Sequence, residues 1–292
     1  TQFRPVNDVD RDARGDGIKF YYTSDGLEPF DSFLRIEGIG INLTIPGDAT
    51  PEAAAVILKG YLAMRNAGSS EPGSKEYVGA VSLTLPKVNI GGSAAMRLNP
   101  DVPAFLVDVG LELSVPIMLG TTGLGIYGFR GLIGQKYMPS KQAAGVDESE
   151  TWWYYYKSKQ PNPPGTEGIN FGKFDQEDGF SLGAGVSLAT SPDSGKTFSS
   201  KLFFLLGVPE VFLLQGQAAI LSERIGLDDT NDPPFSALIA ISSESVETAF
   251  GVNYRIPDSG NFEGDILTLG ATLEMAFFYD NPRGWYINLG RE

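Results

Sequence analysis

Apolar side chains recur at every second position along segment after segment of this chain. From 246 to 256, Val246, Thr248, Phe250, Val252, Tyr254 and Ile256 alternate with Glu247, Ala249, Gly251, Asn253 and Arg255. From 267 to 279, Leu267, Leu269, Ala271, Leu273, Met275, Phe277 and Tyr279 alternate with small or polar residues. A period of two puts the two sets on opposite faces of an extended strand, whereas a helix would scatter each set around its circumference. The same rhythm predicts strands over 18–22, 33–45, 77–85, 88–98, 104–113, 124–134, 180–189, 197–206, 211–221, 235–242 and 285–289. The segment 51–65 is ambiguous: its alanines favour helix, while Val56-Ile57-Leu58 and Gly60 favour a buried strand, and strand is preferred. The apolar stretch 116–134 carries Thr121, Thr122, Arg130 and many glycines, a composition unsuited to a membrane-spanning helix.

Some strands are apolar at consecutive positions, as in Leu202-Phe203-Phe204-Leu205-Leu206 and Val211-Phe212-Leu213-Leu214. Such strands belong inside a sandwich, beneath a partner, or in lipid. Turns fall where Gly, Pro, Asp and Ser cluster, at 191–195, 228–234 and 258–260. The expected fold is all-β, mainly antiparallel with long strands, forming an extended sheet, a sandwich or a barrel-like structure. The polar stretches of 140–179, with Pro161, Pro163 and Pro164, suggest a division into an acidic segment 1–16, a first sheet unit 17–139, a polar and aromatic connection 140–179 and a second sheet unit 180–292.

Composition narrows the chemistry. The chain has 292 residues, 42% of them hydrophobic, enough for a substantial core, and a net charge of −14. An acidic surface is repelled by a phosphate backbone, so no nucleic-acid partner is expected. Cys and His are both absent. Their absence removes disulfides, thiolate nucleophiles and the commonest zinc ligand and general base.

Three features are candidate sites. Asp8, Asp10, Asp12 and Asp16 carry carboxylates at alternate positions, the spacing by which a calcium loop gathers oxygen ligands. Ala13 stands where that loop needs its turn glycine and Lys19 where it needs its bidentate Glu, so calcium is a weak candidate beside a solvated acidic segment. Trp152, Trp153 and Tyr155, in the run Trp152-Trp153-Tyr154-Tyr155-Tyr156, are candidate ligand-stacking rings on a β surface, the alternatives being a membrane-interface anchor or packing beneath a loop. Glu112, Glu210, Glu223, Glu247 and Glu274 lie on or near predicted strands and could pair as acid and base, but form no distinctive motif.

The runs 123–134, Trp153-Tyr154-Tyr155, 183–188, 213–221 and 285–290 resemble a family of very large bacterial proteins with many long amphipathic strands and no assigned activity. The resemblance implies a β-rich piece of a longer chain and transfers no site. The leading expectation is a non-enzymatic structural or binding module of an extracellular or assembly-associated bacterial protein, its sheet edges completed by further chain or by protein copies. The alternatives are a lipid-handling groove or outer-membrane-type β-barrel, and an acidic carbohydrate-active enzyme. Strands of about 10 residues favour the barrel; glycine, alanine and apolar residues on its inward face speak against it.

Overall fold

The alternating segments fold as strands, because branched and aromatic side chains fit a pleated surface and period-two patterning gives each strand one face to bury. The computed structural model describes residues 11–21, 33–46, 50, 53–66, 75–88, 90–159, 171–227, 232–256, 267–279 and 284–290. These residues form two compact units that divide between Val107 and Asp108, within one strand. The fold is all-β and antiparallel, as the alternation predicts.

In the first unit β1 (Arg11–Tyr21), β2 (Phe33–Ile45), β3 (Val56–Asn66), β4 (Lys75–Leu85) and β5 (Ile90–Asn99) lie side by side in chain order, each antiparallel to the next. The ambiguous segment resolves as strand β3. Its alanines precede the strand in a turn where Ala53 and Ala54 N–H donate to Thr50 O at 2.9 and 3.0 Å, and the strand starts where the β-branched run starts.

In the second unit the order is β6 (Ala104–Met118), β7 (Leu124–Gln135), β10 (Phe180–Thr190), β11 (Phe198–Val208), β12 (Val211–Ile220), β13 (Phe235–Ser242), β14 (Ser245–Ile256), β15 (Leu267–Phe278) and β16 (Trp285–Gly290). The stretch 116–134 is thus the end of one strand, a turn and the next strand. Two-residue turns join β11 to β12 and β13 to β14, while β7 and β10 pair directly although a long insert lies between them. That insert is the polar and aromatic connection seen in the sequence. It contains the paired short strands β8 (Met138–Pro139) and β9 (Phe174–Asp175), and the helix α1 (Trp152–Lys157).

The helix is not foreshadowed by the alternation. Its rings meet at helical spacing instead, Trp152 edge-on to Tyr155 at 5.1 Å and Trp153 tilted over Tyr156 at 5.3 Å between centroids. Six residues are too few for a helix to persist on propensity, so packing against the sheet must hold α1.

Candidate functional site: a charge-free apolar face and a covered polar face

Register makes the two faces of the second unit explicit. Val246, Thr248 and Phe250 of β14 lie opposite Phe277, Met275 and Leu273 of β15, which lie opposite Trp285, Ile287 and Leu289 of β16. In the other direction the same face continues through Ile241 and Ile239 of β13, Phe212 and Leu214 of β12, Leu206 and Phe204 of β11, and Leu182 and Ala184 of β10. It ends on Ile133 and Phe129 of β7 and Val109, Leu111, Val115 and Ile117 of β6. No charged side chain stands on this face among the described residues, and little covers it: Ile239 is 41% exposed, Phe250 45% and Trp285 67%. A face so large and so apolar is unlike ordinary soluble surface, whose contiguous apolar patches rarely exceed a few hundred Å².

Aromatics gather near its ends. Phe180, Phe212, Phe277 and Trp285 stand beside the turns at one end of the strands, and Phe235 meets Tyr254 at 5.5 Å at the other.

The opposite face carries the charge. Arg130 of β7 donates its Nε–H to both carboxylate oxygens of Asp108 on β6, each at 3.0 Å, with both side chains largely buried. Lys201 of β11 donates to the carbonyls of Gly226 and Leu227 at 3.3 and 3.0 Å, and Leu227 N–H donates to Glu112 Oε1 at 3.3 Å. Ser181, Ser187, Ser199, Ser236, Glu247 and Thr272 are buried on this face. In the first unit Ile39, Ile41, Leu62, Val81, Leu83 and Met96 are exposed on one face, and Arg97 donates to Glu76 at 2.8 Å on the other.

Chain folded over the polar face explains its small and apolar residues. Ser181 Oγ donates to Tyr137 O at 2.5 Å, and Tyr137 and Met138 are fully buried. Further along, α1 lies over β13 and β14. Trp152 N–H donates to Glu247 Oε2 at 2.7 Å, Ser245 Oγ donates to Oε1 of the same carboxylate at 2.8 Å, and Tyr156 Oη donates to Gly216 O at 3.2 Å. Gly251 is required by this approach. A Cβ there would sit 3.0 Å from the Trp153 ring and 2.8 Å from Ser236 Oγ.

At the far end of α1, Lys173 Nζ donates to Tyr155 O at 2.7 Å and Tyr156 O at 3.0 Å, and sits 5.1 Å from the Tyr155 ring centroid. Burial lowers its pKa to about 8. Burial likewise raises the Tyr155 phenol far above its usual value and Tyr156 to about 12.

The candidate stacking residues Trp152, Trp153 and Tyr155 are therefore buried in a helix rather than displayed on a strand, while Tyr154 is half exposed. Of the candidate calcium ligands, Asp8 and Asp10 lie outside the described residues, and Asp12 and Asp16 fall on β1 opposite Asn42 and Gly38. No grouping of three or more metal-ligating side chains occurs among the described residues. Among the candidate acids, Glu247 binds the helix N-terminus, and Glu112 lies 3.9 Å from Arg224 as well as accepting from Leu227. The role of Glu247 was hidden because its partner is a backbone N–H ninety-five residues away in sequence.

Comparison with protein-family models, with curated proteins and with solved structures finds no match to this chain. No helix among the described residues is long and apolar enough to cross a membrane, a criterion that does not bear on strands.

Proposed function

We propose that this protein is a non-enzymatic, membrane-associated β-sheet protein, its open face against lipid hydrocarbon and its polar face toward water and partly covered by the insert. The observation that carries the reading is the absence of charge, among the described residues, from the open face of nine neighbouring strands, while Asp108, Glu112, Arg130, Lys201 and Glu247 occupy the other. A soluble sheet places its charges on the open face, whereas a lipid-facing sheet does the reverse.

Length agrees. Strands of 10 to 12 residues, such as β7, β10, β11, β12, β14 and β15, span about 25 Å at roughly 45° of tilt, the height of the apolar band of such proteins. Rings near both strand ends suit the two membrane interfaces. The sequence argument against a barrel, its small and apolar inward residues, loses force because the insert and the segment 224–227 pack on those positions.

Ile239→Arg, at the middle of the open face, tests the reading. In lipid vesicles it should lower unfolding stability by about 2–4 kcal/mol; on a surface facing water it should shift stability by no more than about 0.5 kcal/mol. Asn253→Arg, on the exposed end of the polar face, is the control and should have little effect. A wild-type chain that stays in the aqueous layer on detergent phase separation and does not bind vesicles would sink the proposal. If that soluble chain instead sediments as an oligomer, partner copies cover the open face.

A further inference from the structure

We infer that β16, the outer strand of the second unit, is a dimerisation edge that pairs antiparallel with β16 of a second copy of this chain, in a register centred on Ile287. Among the described residues no strand lies on its far side. The pairing with β15 shows which backbone groups face that way. Phe278 N–H donates to Gly284 O at 2.8 Å, so these two form a hydrogen-bonded pair. The alternation of an antiparallel ladder then makes Ala276 with Tyr286, Glu274 with Asn288 and Thr272 with Gly290 hydrogen-bonded pairs too. The N–H and C=O of Trp285, Ile287 and Leu289 therefore point outward, away from β15. Their side chains are the ones that stand on the open face, 67%, 60% and 76% exposed.

Two further observations make a second copy the neighbour. Edge strands that stay alone carry charges, Pro or bulges that repel an incoming strand. Trp285–Gly290 holds no Lys, Arg, Asp, Glu or Pro and pairs with β15 without a break in register. The edge is also complementary to itself. When two copies meet about a twofold axis normal to the sheet, with Ile287 opposite its own equivalent, Trp285 faces Leu289 on both sides of the axis. Every outward N–H and C=O of these residues then has a partner, a match that no other register of the strand gives. On the polar face Tyr286 stands across from Asn288. Both open faces stay on one side, so the apolar surface runs on from one copy into the next. The inference does not rest on the preceding reading: an unpaired edge recruits a strand in water, and in hydrocarbon its groups lack even water as a partner.

The chain has no cysteine, so single introduced thiols report on the pairing. In detergent micelles, where neither copy is held to one orientation, the full chain should sediment as a dimer. Ile287→Cys should cross-link to itself under mild oxidation at least tenfold faster than Ile239→Cys, which lies in the middle of the sheet. Directly opposed residues of a hydrogen-bonded pair have Cα atoms about 5.5 Å apart, within disulfide reach. Trp285→Cys and Leu289→Cys should each cross-link poorly alone and well when the two variants are mixed, because only that combination is in register. Ile287→Pro removes an outward donor and no bond to β15, so it should shift the dimer to monomer while the amides of Leu205 and Leu213 stay as protected as in the wild type. A monomeric wild type, an Ile287→Pro variant as dimeric as the wild type, or cross-linking of Ile239→Cys as fast as that of Ile287→Cys overturns the edge. So does cross-linking of Trp285→Cys alone as fast as the mixed pair. Failure of vesicle binding with intact Ile287→Cys cross-linking would overturn the membrane reading and leave the edge standing.

Discussion

Lys173 keeps an ammonium group among the rings and carbonyls of α1, and its pKa, lowered to about 8 by burial, ties the stability of the insert to pH. Between pH 8 and its ordinary value near 10.5, the unfolded chain holds a proton that the folded chain has released, so stability rises with pH across that window. Tyr155 and Tyr156, both raised by burial, act with the opposite sign. Above pH 10 their phenols ionise in the unfolded chain first, and stability falls. A series of urea midpoints from pH 7 to 12 should therefore pass through a maximum near pH 10, and Lys173→Met should abolish the rising limb while keeping the falling one. Gly183 makes a second prediction at this scale, since a Cβ there would lie 2.7 Å from the Phe203 ring and 3.1 Å from Leu132 Cβ. Gly183→Ala should cost about 1–3 kcal/mol through overpacking, read as a lowered unfolding midpoint with an unchanged denaturant slope.

The strands and the helix were not equally legible. Strand alternation is a local property, and segments such as 33–45 and 235–242 coincide with the observed β2 and β13. Strand β6 runs five residues beyond the expected 113, because Ser114 and Pro116 preserve the alternation with Val115 and Ile117 although neither is a typical strand residue. The run Trp152–Lys157 misleads in the other direction, since aromatic composition favours strand and only packing on Gly251 and Glu247 makes it helical. A peptide covering 151–158 should therefore show no helical signal in water by circular dichroism, and a substantial one would mean that the helix precedes its packing. The two faces of the strands could be read from sequence, but not which face would be covered. That depends on where the insert returns, which is a long-range fact.

For the whole molecule, the sidedness of the second unit matters more than any single contact. Glu76 with Arg97, and Asp108 with Arg130, place charge on the polar face of each unit, where a lone charge would be expensive and a pair is tolerated. The connectivity within the second unit has its own consequence. Nearly every strand pairs with the strand that follows it across a turn, but β7 and β10 must meet across the entire insert. Closing that span costs roughly 2–3 kcal/mol more entropy than closing a two-residue turn. The hairpins on either side can therefore zip up early, while the β7–β10 seam waits. The seam then sets the tempo of assembly, and the insert settles onto a surface that does not exist until the seam has closed.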